Sequence, residues 1–127
     1  MSIKNLLTAV VAYLVSQNVG TFGTNLFIGF EPATPKNVVT LFSTGGRPPT
    51  ALGGKEYPTM QVRIRNESSQ GALTVADTIY SLLHQQSDLL ETIRGRCFAL
   101  QSAPMLIGRG ANGEFIYTQN YIWYLAI

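Results

Sequence analysis

The residues that could take part in catalysis are few and widely separated in this 127-residue chain. His84 is the only histidine and Cys97 is the only cysteine. A nucleophilic Cys–His pair would also need a third group to orient the imidazole, and no motif in the sequence supplies one. We therefore expect His84 to lie at the end of a helix, where an imidazolium interacts favourably with the helix dipole. Cys97 is expected to be a small buried hydrophobe.

The acidic residues and the glycines form no recognisable catalytic or metal-binding motif. Seven acids are scattered along the chain, and only the tertiary structure could bring two of them together. A single cysteine rules out an internal disulfide and a cysteine-built metal cluster. The phosphate-binding pattern GxxxxGK[ST] is absent. The sequence thus predicts a protein that is not an enzyme and that needs no cofactor or metal, since catalysis would require a convergent site that the sequence does not display.

Arginines alternate with other residues in two predicted strands. Arg63 and Arg65 share one strand face, opposite the apolar residues at 60, 62 and 64, and Arg94 and Arg96 share a face of another strand. If these strands are neighbours, four guanidinium groups share one surface. That surface is then a solvated polar face, a polar subunit interface or a wall that faces nucleic acid. RNA-binding sheets display aromatic residues among the basic ones, and none lies between Arg63 and Arg65 on this face.

The segment before the first of these strands is rich in glycine and proline. Residues 44–58 contain two Gly-Gly pairs and a Pro-Pro pair. Glycine has many backbone options and proline lacks an amide donor, so we expect a long flexible arm without regular structure. An arm of this kind suggests contact with a neighbouring molecule, and it makes Arg47, Lys55 and Tyr57 interface candidates.

The C-terminal segment is rich in aromatic residues and is apolar on both faces. Such a strand is either central in a covered sheet or part of an interface, and the sequence leaves both open. Tyrosine and tryptophan are enriched at the residues that dominate interface energetics. Tyr121, Trp123 and Tyr124 are therefore candidates for a subunit or partner interface.

The composition favours assembly. Charged residues make up 13% of the chain, against about 25% in a typical soluble domain, and the cores of interfaces are depleted in charge. The net charge of +2 is too small to indicate nucleic-acid binding by itself. The length predicts a single domain over residues 1–127.

The apolar run near the N-terminus is similar to a signal peptide, but it is too short to span a membrane and no Ala-x-Ala site follows it. Its spacing instead predicts an amphipathic helix over residues 2–18.

A second helix is predicted from residue 68 or 69 to 86, and strands are predicted at 25–30, 37–43, 60–66, 92–101, 105–109 and 114–125. This order indicates an α+β fold with a mostly antiparallel sheet of five to six strands and both helices packed on one face.

Taken together, these segments resemble the small tail terminator, or minor capsid, proteins of long-tailed bacteriophages, which join head and tail. The resemblance covers most of the chain in order: GRPP at 46–49, EYPTMQVR at 56–63, IYSLL at 79–83, PMLIGR at 104–109 and FIYTQNY at 115–121. None of these motifs is a catalytic signature. Arg109, within the fourth motif, joins the interface candidates.

The resemblance implies a structural protein of the virion, made in the host cytoplasm, whose α+β subunits form a ring, usually a hexamer, on the last ring of the tail tube. Its partners would be other copies of itself, the tail tube protein and the head–tail connector protein. DNA would pass through the lumen without specific binding, and no membrane would be involved. Two alternatives stay open: a small nucleic-acid-binding domain that uses the arginine-bearing sheet face, and another neck protein such as a head-completion protein.

Overall fold

The computed structural model describes residues 2–50, 53–90 and 93–126, which form an α+β fold of two helices and a mostly antiparallel sheet. In chain order the elements are α1 (Ile3–Ser16), β1 (Leu26–Ile28), β2 (Val38–Arg47), β3 (Lys55–Asn66), α2 (Ser69–Leu83), β4 (Gln86–Ser87), β5 (Gly95–Ala99), β6 (Met105–Arg109) and β7 (Phe115–Ala126). The fold class is as predicted. The sheet of these residues has seven strands instead of five to six, because the two-residue strand β4 carries no sequence pattern.

The C-terminal strand β7 is central in the sheet. The strand order is β1-β2-β3-β7-β5-β4, and β6 also pairs with β7. On one side β7 pairs with β3 along almost its whole length. On its other side it pairs with β5 through residues 121–125 and with β6 through residues 115–118. Only β1 and β2 are parallel. Both edges of β7 are therefore occupied by neighbouring strands.

The core lies between the sheet and the two helices, which pack on the same face as predicted. The apolar stripe of α1 contacts β1 and β2, and that of α2 contacts β3, β5 and β7. Met60, Val62 and Ile64 of β3 point into this core, so the alternation in the sequence correctly gives the two faces of the strand. The opposite side of the sheet is called the open face below. Neither helix of the described ranges is long and apolar enough to cross a bilayer.

The glycine- and proline-rich segment forms strands at both of its ends, contrary to the prediction. β2 and β3 continue into it as a hairpin, in which Arg47 pairs with Tyr57 after a register shift between residues 43 and 45. Gly46 has a φ of +132°, and a Cβ at this position would lie 2.2 Å from the carbonyl oxygen of Tyr57. The glycines therefore allow a bulge and a close approach of two strands, whereas we expected them to prevent regular structure. The expected unstructured arm over 44–58 is wrong for residues 44–47 and 55–58, and residues 51–52 lie outside the described residues.

Candidate assembly interface

Arg63 and Arg65 belong to an ion-pair cluster with Glu31 and do not form a free basic wall. The Nη1 atom of Arg65 lies 2.9 Å from Oε1 of Glu31, and Nε of Arg63 contacts the other carboxylate oxygen. β7 separates the strand of these arginines from the strand of Arg96. The expected surface of four neighbouring guanidinium groups is therefore wrong, since it required the two strands to be adjacent.

Arg65 also fixes the loop that covers one end of the open face. Its side chain is 9% exposed. Nη2 donates hydrogen bonds to the carbonyl oxygens of Pro32 at 2.7 Å and Pro35 at 2.6 Å, and Nε donates to that of Lys36 at 3.3 Å. A guanidinium has five N–H donors in a fixed plane, which suits it to this set of acceptors. Arg65 thus has a structural role within the subunit.

Glu114 lies beside this cluster, at the turn between β6 and β7. Its carboxylate is buried, with Oε2 at 3.8 Å from Nε of Arg65. Oε1 accepts a hydrogen bond from the backbone amide of Asn112 at 2.9 Å. Hydrogen bonds from its own amide and that of Asn112, with the nearby charges of Arg65 and Lys36, hold the pKa of Glu114 below its usual range.

Tyr121 and Trp123 lie in the core, on the face of β7 that the helices cover. Trp123 is 1% exposed and Tyr121 is fully buried. Cys97 stands opposite Trp123 on β5 and is buried, as predicted, and burial raises the pKa of its thiol and of the Tyr121 phenol. These side chains are not available at the surface of the described chain, so we leave Tyr121 and Trp123 out of the interface proposed below.

The His84 side chain makes contacts within the subunit at the end of α2. His84 is the C-cap residue of the helix, so its predicted position at the helix end is confirmed. Its Nδ1 accepts a hydrogen bond from the backbone amide of Ala99 at 2.9 Å, and its ring stacks on Tyr80 with centroids 4.6 Å apart. The described residues contain no group of three or more His, Cys, Asp or Glu side chains that could hold a metal ion.

Five interface candidates meet at one end of the sheet. A cavity of about 530 Å³ is lined by residues that include Arg47, Lys55, Tyr57, Arg94 and Tyr124. We call it the basic pocket. Arg96 flanks it, because it stands opposite Tyr124 on the neighbouring strand; its guanidinium lies over the ring of Phe98, 5.5 Å from the centroid.

The sequence analysis did not predict a second exposed feature, the outer edge of β6. Met105, Leu106 and Ile107 are each about half exposed, and within the described residues β6 pairs on one side only, with β7. Arg109 is the interface candidate that the sequence analysis named in this strand. Its side chain donates hydrogen bonds to the carbonyl oxygen of Gly113 and lies over the Phe115 ring, so these contacts stay within the β6–β7 hairpin. Three consecutive large apolar residues in a short strand were the signal that could have revealed this β6 edge.

A second apolar patch lies at the opposite edge of the sheet. Phe30 is 64% exposed and Phe22 is 57% exposed, and both are close in sequence to the edge strand β1. The ring of Phe30 packs edge-on against that of Phe27 at 6.4 Å. We call this the β1 patch. The sheet thus has an exposed apolar surface at each of two opposite edges.

A sequence profile of the family described as bacteriophage tail terminator protein matches residues 13–126. The chain belongs to the bacteriophage tail terminator family. Among the solved structures that resemble this terminator, one has a TM-score of 0.58 and 14% sequence identity, and the match covers 100% of the terminator and 96% of that chain. This likeness shows the fold alone. Among curated proteins, none matches the sequence.

Family membership confirms the coarse function that the sequence motifs indicated. The terminator is a structural, tail-related component of a phage virion, and it interacts with other tail and head-joining proteins of the phage. The β6 edge, the β1 patch and the basic pocket are all exposed at the surface of the described subunit.

Proposed function

We propose that this protein forms a closed hexameric ring that caps the tail tube, ends tube polymerisation and offers a joining surface to the head connector. The observation that supports the ring is the pair of exposed apolar surfaces, the β6 edge and the β1 patch, at opposite edges of one sheet. A head-to-tail contact uses a different surface on each side of every subunit, and it closes into a ring when the rotation is right. In this ring the β6 edge of one copy packs on the β1 patch of the next.

The β6 edge has the physical character of an interface. Edge strands usually carry lysine or another charged residue, or a proline, and these residues prevent pairing with another chain. Met105, Leu106 and Ile107 are apolar and half-exposed instead. Burying the exposed half of each side chain contributes roughly 1 kcal/mol, and each backbone hydrogen bond added along the free edge contributes about 1 kcal/mol. Six such contacts in a closed ring reinforce one another.

The charge distribution also fits a ring through which DNA passes. Arg63 and Arg65 are paired with Glu31 and Glu114, so this part of the described sheet does not present them as free cations to a polyphosphate. Tight phosphate contacts would slow the passage of DNA. This neutralisation counts against the alternative of a nucleic-acid-binding domain that uses the arginine-bearing face.

Native mass spectrometry over a wide range of protein concentration tests the ring, and a phage that lacks the protein tests the cap. We expect a discrete hexamer, and tails of excessive length when the protein is absent. A strict monomer that tail tubes do not recruit contradicts the ring. Tails of normal length that fail to join heads indicate the other neck role, head completion.

A further inference from the structure

The basic pocket collects cations from three separate parts of the chain. Arg47 ends β2, Lys55 begins β3 and Arg94 directly precedes β5. Among the residues that the structure describes, Asp88 is the acidic one that lines the pocket. Its Oδ1 already accepts a hydrogen bond from the backbone amide of Gly95 at 3.0 Å. Within the described residues, three cations therefore line the pocket beside one carboxylate that already accepts a hydrogen bond, in a chain whose total net charge is only +2.

Arg47 is held in place by two aromatic rings. Its guanidinium carbon lies 5.0 Å from the centroid of Tyr57 and 5.2 Å from that of Tyr124, and Nη2 donates a 2.8 Å hydrogen bond to the Tyr124 hydroxyl. The two rings pack edge-to-face with centroids 5.5 Å apart. The guanidinium thus keeps unused donors in a fixed plane, which suits it to a carboxylate.

The other two cations of the pocket carry no ion pair with the described residues. Lys55 and Arg94 are exposed, and within the described residues neither takes part in a salt bridge. The backbone below them is closely packed, since a Cβ on Gly95 would lie 2.4 Å from the carbonyl oxygen of Tyr124. In the described part of the chain, the pocket thus offers the charges of Lys55 and Arg94 and the remaining donors of Arg47.

We propose that the basic pocket binds an acidic peptide segment of a protein partner, with Arg47, Lys55 and Arg94 as the carboxylate-binding residues. Charge complementarity gives the class of partner. The three cations line one pocket, whereas Arg63 and Arg65 are ion-paired with Glu31 and Glu114, and a nucleic-acid strand would require a continuous basic track. The two tyrosine rings already pack on each other and on Arg47. This surface is separate from the β6 edge and the β1 patch, so the proposal does not depend on the ring.

Titration of the ¹⁵N-labelled protein with acetyl-hexaglutamate amide, followed by NMR, tests the proposal. We expect shifts at the amides of Gly95 and Ala126, which border the pocket. The double variant Lys55→Gln/Arg94→Gln should weaken binding by about tenfold or more. The double variant Lys4→Gln/Lys36→Gln, which removes the same charge at two exposed residues elsewhere, should bind as the wild type does.

Three results would overturn the proposal. The first is the absence of shifts near the pocket. The second is equal weakening in both double variants, which would mean a general charge effect. The third is tighter binding of a short oligodeoxythymidine of equal charge at the same amides, which would mean that the pocket binds nucleic acid. In each of these cases the proposed ring would still stand, since it depends on other residues.

Discussion

Nη2 of Arg65 donates a 2.6 Å hydrogen bond to the carbonyl oxygen of Pro35, thirty residues earlier in the chain. The same guanidinium pairs with Glu31 at 2.9 Å. One side chain of β3 thus satisfies several polar groups of the loop that precedes β2. A planar donor with five N–H groups can do this, whereas a lysine ammonium has three donors in a different geometry.

Replacing Arg65 with leucine should therefore destabilise the subunit. The change leaves Oε1 of Glu31 and several loop carbonyls without their donor, and breaking a largely buried ion pair costs about 3–5 kcal/mol. We expect Arg65→Lys to recover only part of this loss. Chemical unfolding in urea measures the free energy of unfolding for each variant. Arg96→Leu is the control, since Arg96 is exposed and its position over Phe98 contributes about 0.5–1 kcal/mol. Equal losses for Arg65→Leu and Arg96→Leu would contradict the structural role.

Glu114 should make stability depend on pH in the acidic range. Its folded-state pKa is lowered by hydrogen bonds from its own amide and that of Asn112, with Arg65 nearby. The stabilisation is thus fully present above the pKa of the unfolded chain, about 4.3 for glutamate. It is lost as the pH falls through the lowered folded-state pKa.

The variant Glu114→Gln checks this pH dependence. We expect it to be less stable than the wild type near pH 7, and the difference in unfolding free energy should shrink as the pH falls below about 4. Urea unfolding at several pH values gives that difference. Glu67→Gln, at an exposed acid, should show little difference at any pH. A constant difference for Glu114→Gln across the acidic range would contradict the assignment.

The sequence predicted the parts of this fold that depend on local periodicity. The bounds of β6 were predicted correctly, and the alternation of Met60, Val62 and Ile64 gave the buried face of β3. The strand order was not predictable in this way, because the position of β7 between β3 and β5 depends on contacts between distant segments. For the same reason, residue spacing could not predict that Arg65 pairs with Glu31, 34 residues away. It also could not predict that Arg47, Lys55 and Arg94 line one pocket.

Shortening the β2–β3 hairpin tests whether it contributes to assembly. Replacing residues 47–57 with Asn-Gly removes its tip and leaves the core intact. We expect a loss of about 1–2 kcal/mol in folding free energy, because Leu125 loses part of its neighbouring strand, and a clear loss of tail termination. Thermal unfolding and tail lengths in a complemented phage measure the two effects. The control Pro48→Ala/Pro49→Ala keeps the hairpin length and should leave both unchanged. Tails of normal length with the shortened protein would contradict a role of the hairpin in assembly.

The β6 edge gives the sharpest test of the ring. A lysine at Leu106 or Ile107 is the kind of residue that edge strands usually carry, and both positions are half-exposed. The double variant Leu106→Lys/Ile107→Lys should therefore change the free energy of unfolding by only about 0.5 kcal/mol. Its apparent association constant for assembly should fall at least about tenfold, since it buries a charge at an apolar contact. Leu73→Lys, at an exposed position on α2, is the matched control and should assemble normally.

Mixing two defective variants distinguishes a head-to-tail contact from a symmetric one. Phe30→Lys disrupts the β1 patch, and Leu106→Lys/Ile107→Lys disrupts the β6 edge. In a head-to-tail ring each variant alone is monomeric, but each still carries one intact surface that fits the intact surface of the other. The mixture should then form a one-to-one heterodimer by native mass spectrometry, and it cannot extend further because the remaining surfaces are both defective. A contact of β6 with β6 gives a different result, since Phe30→Lys alone would still dimerise.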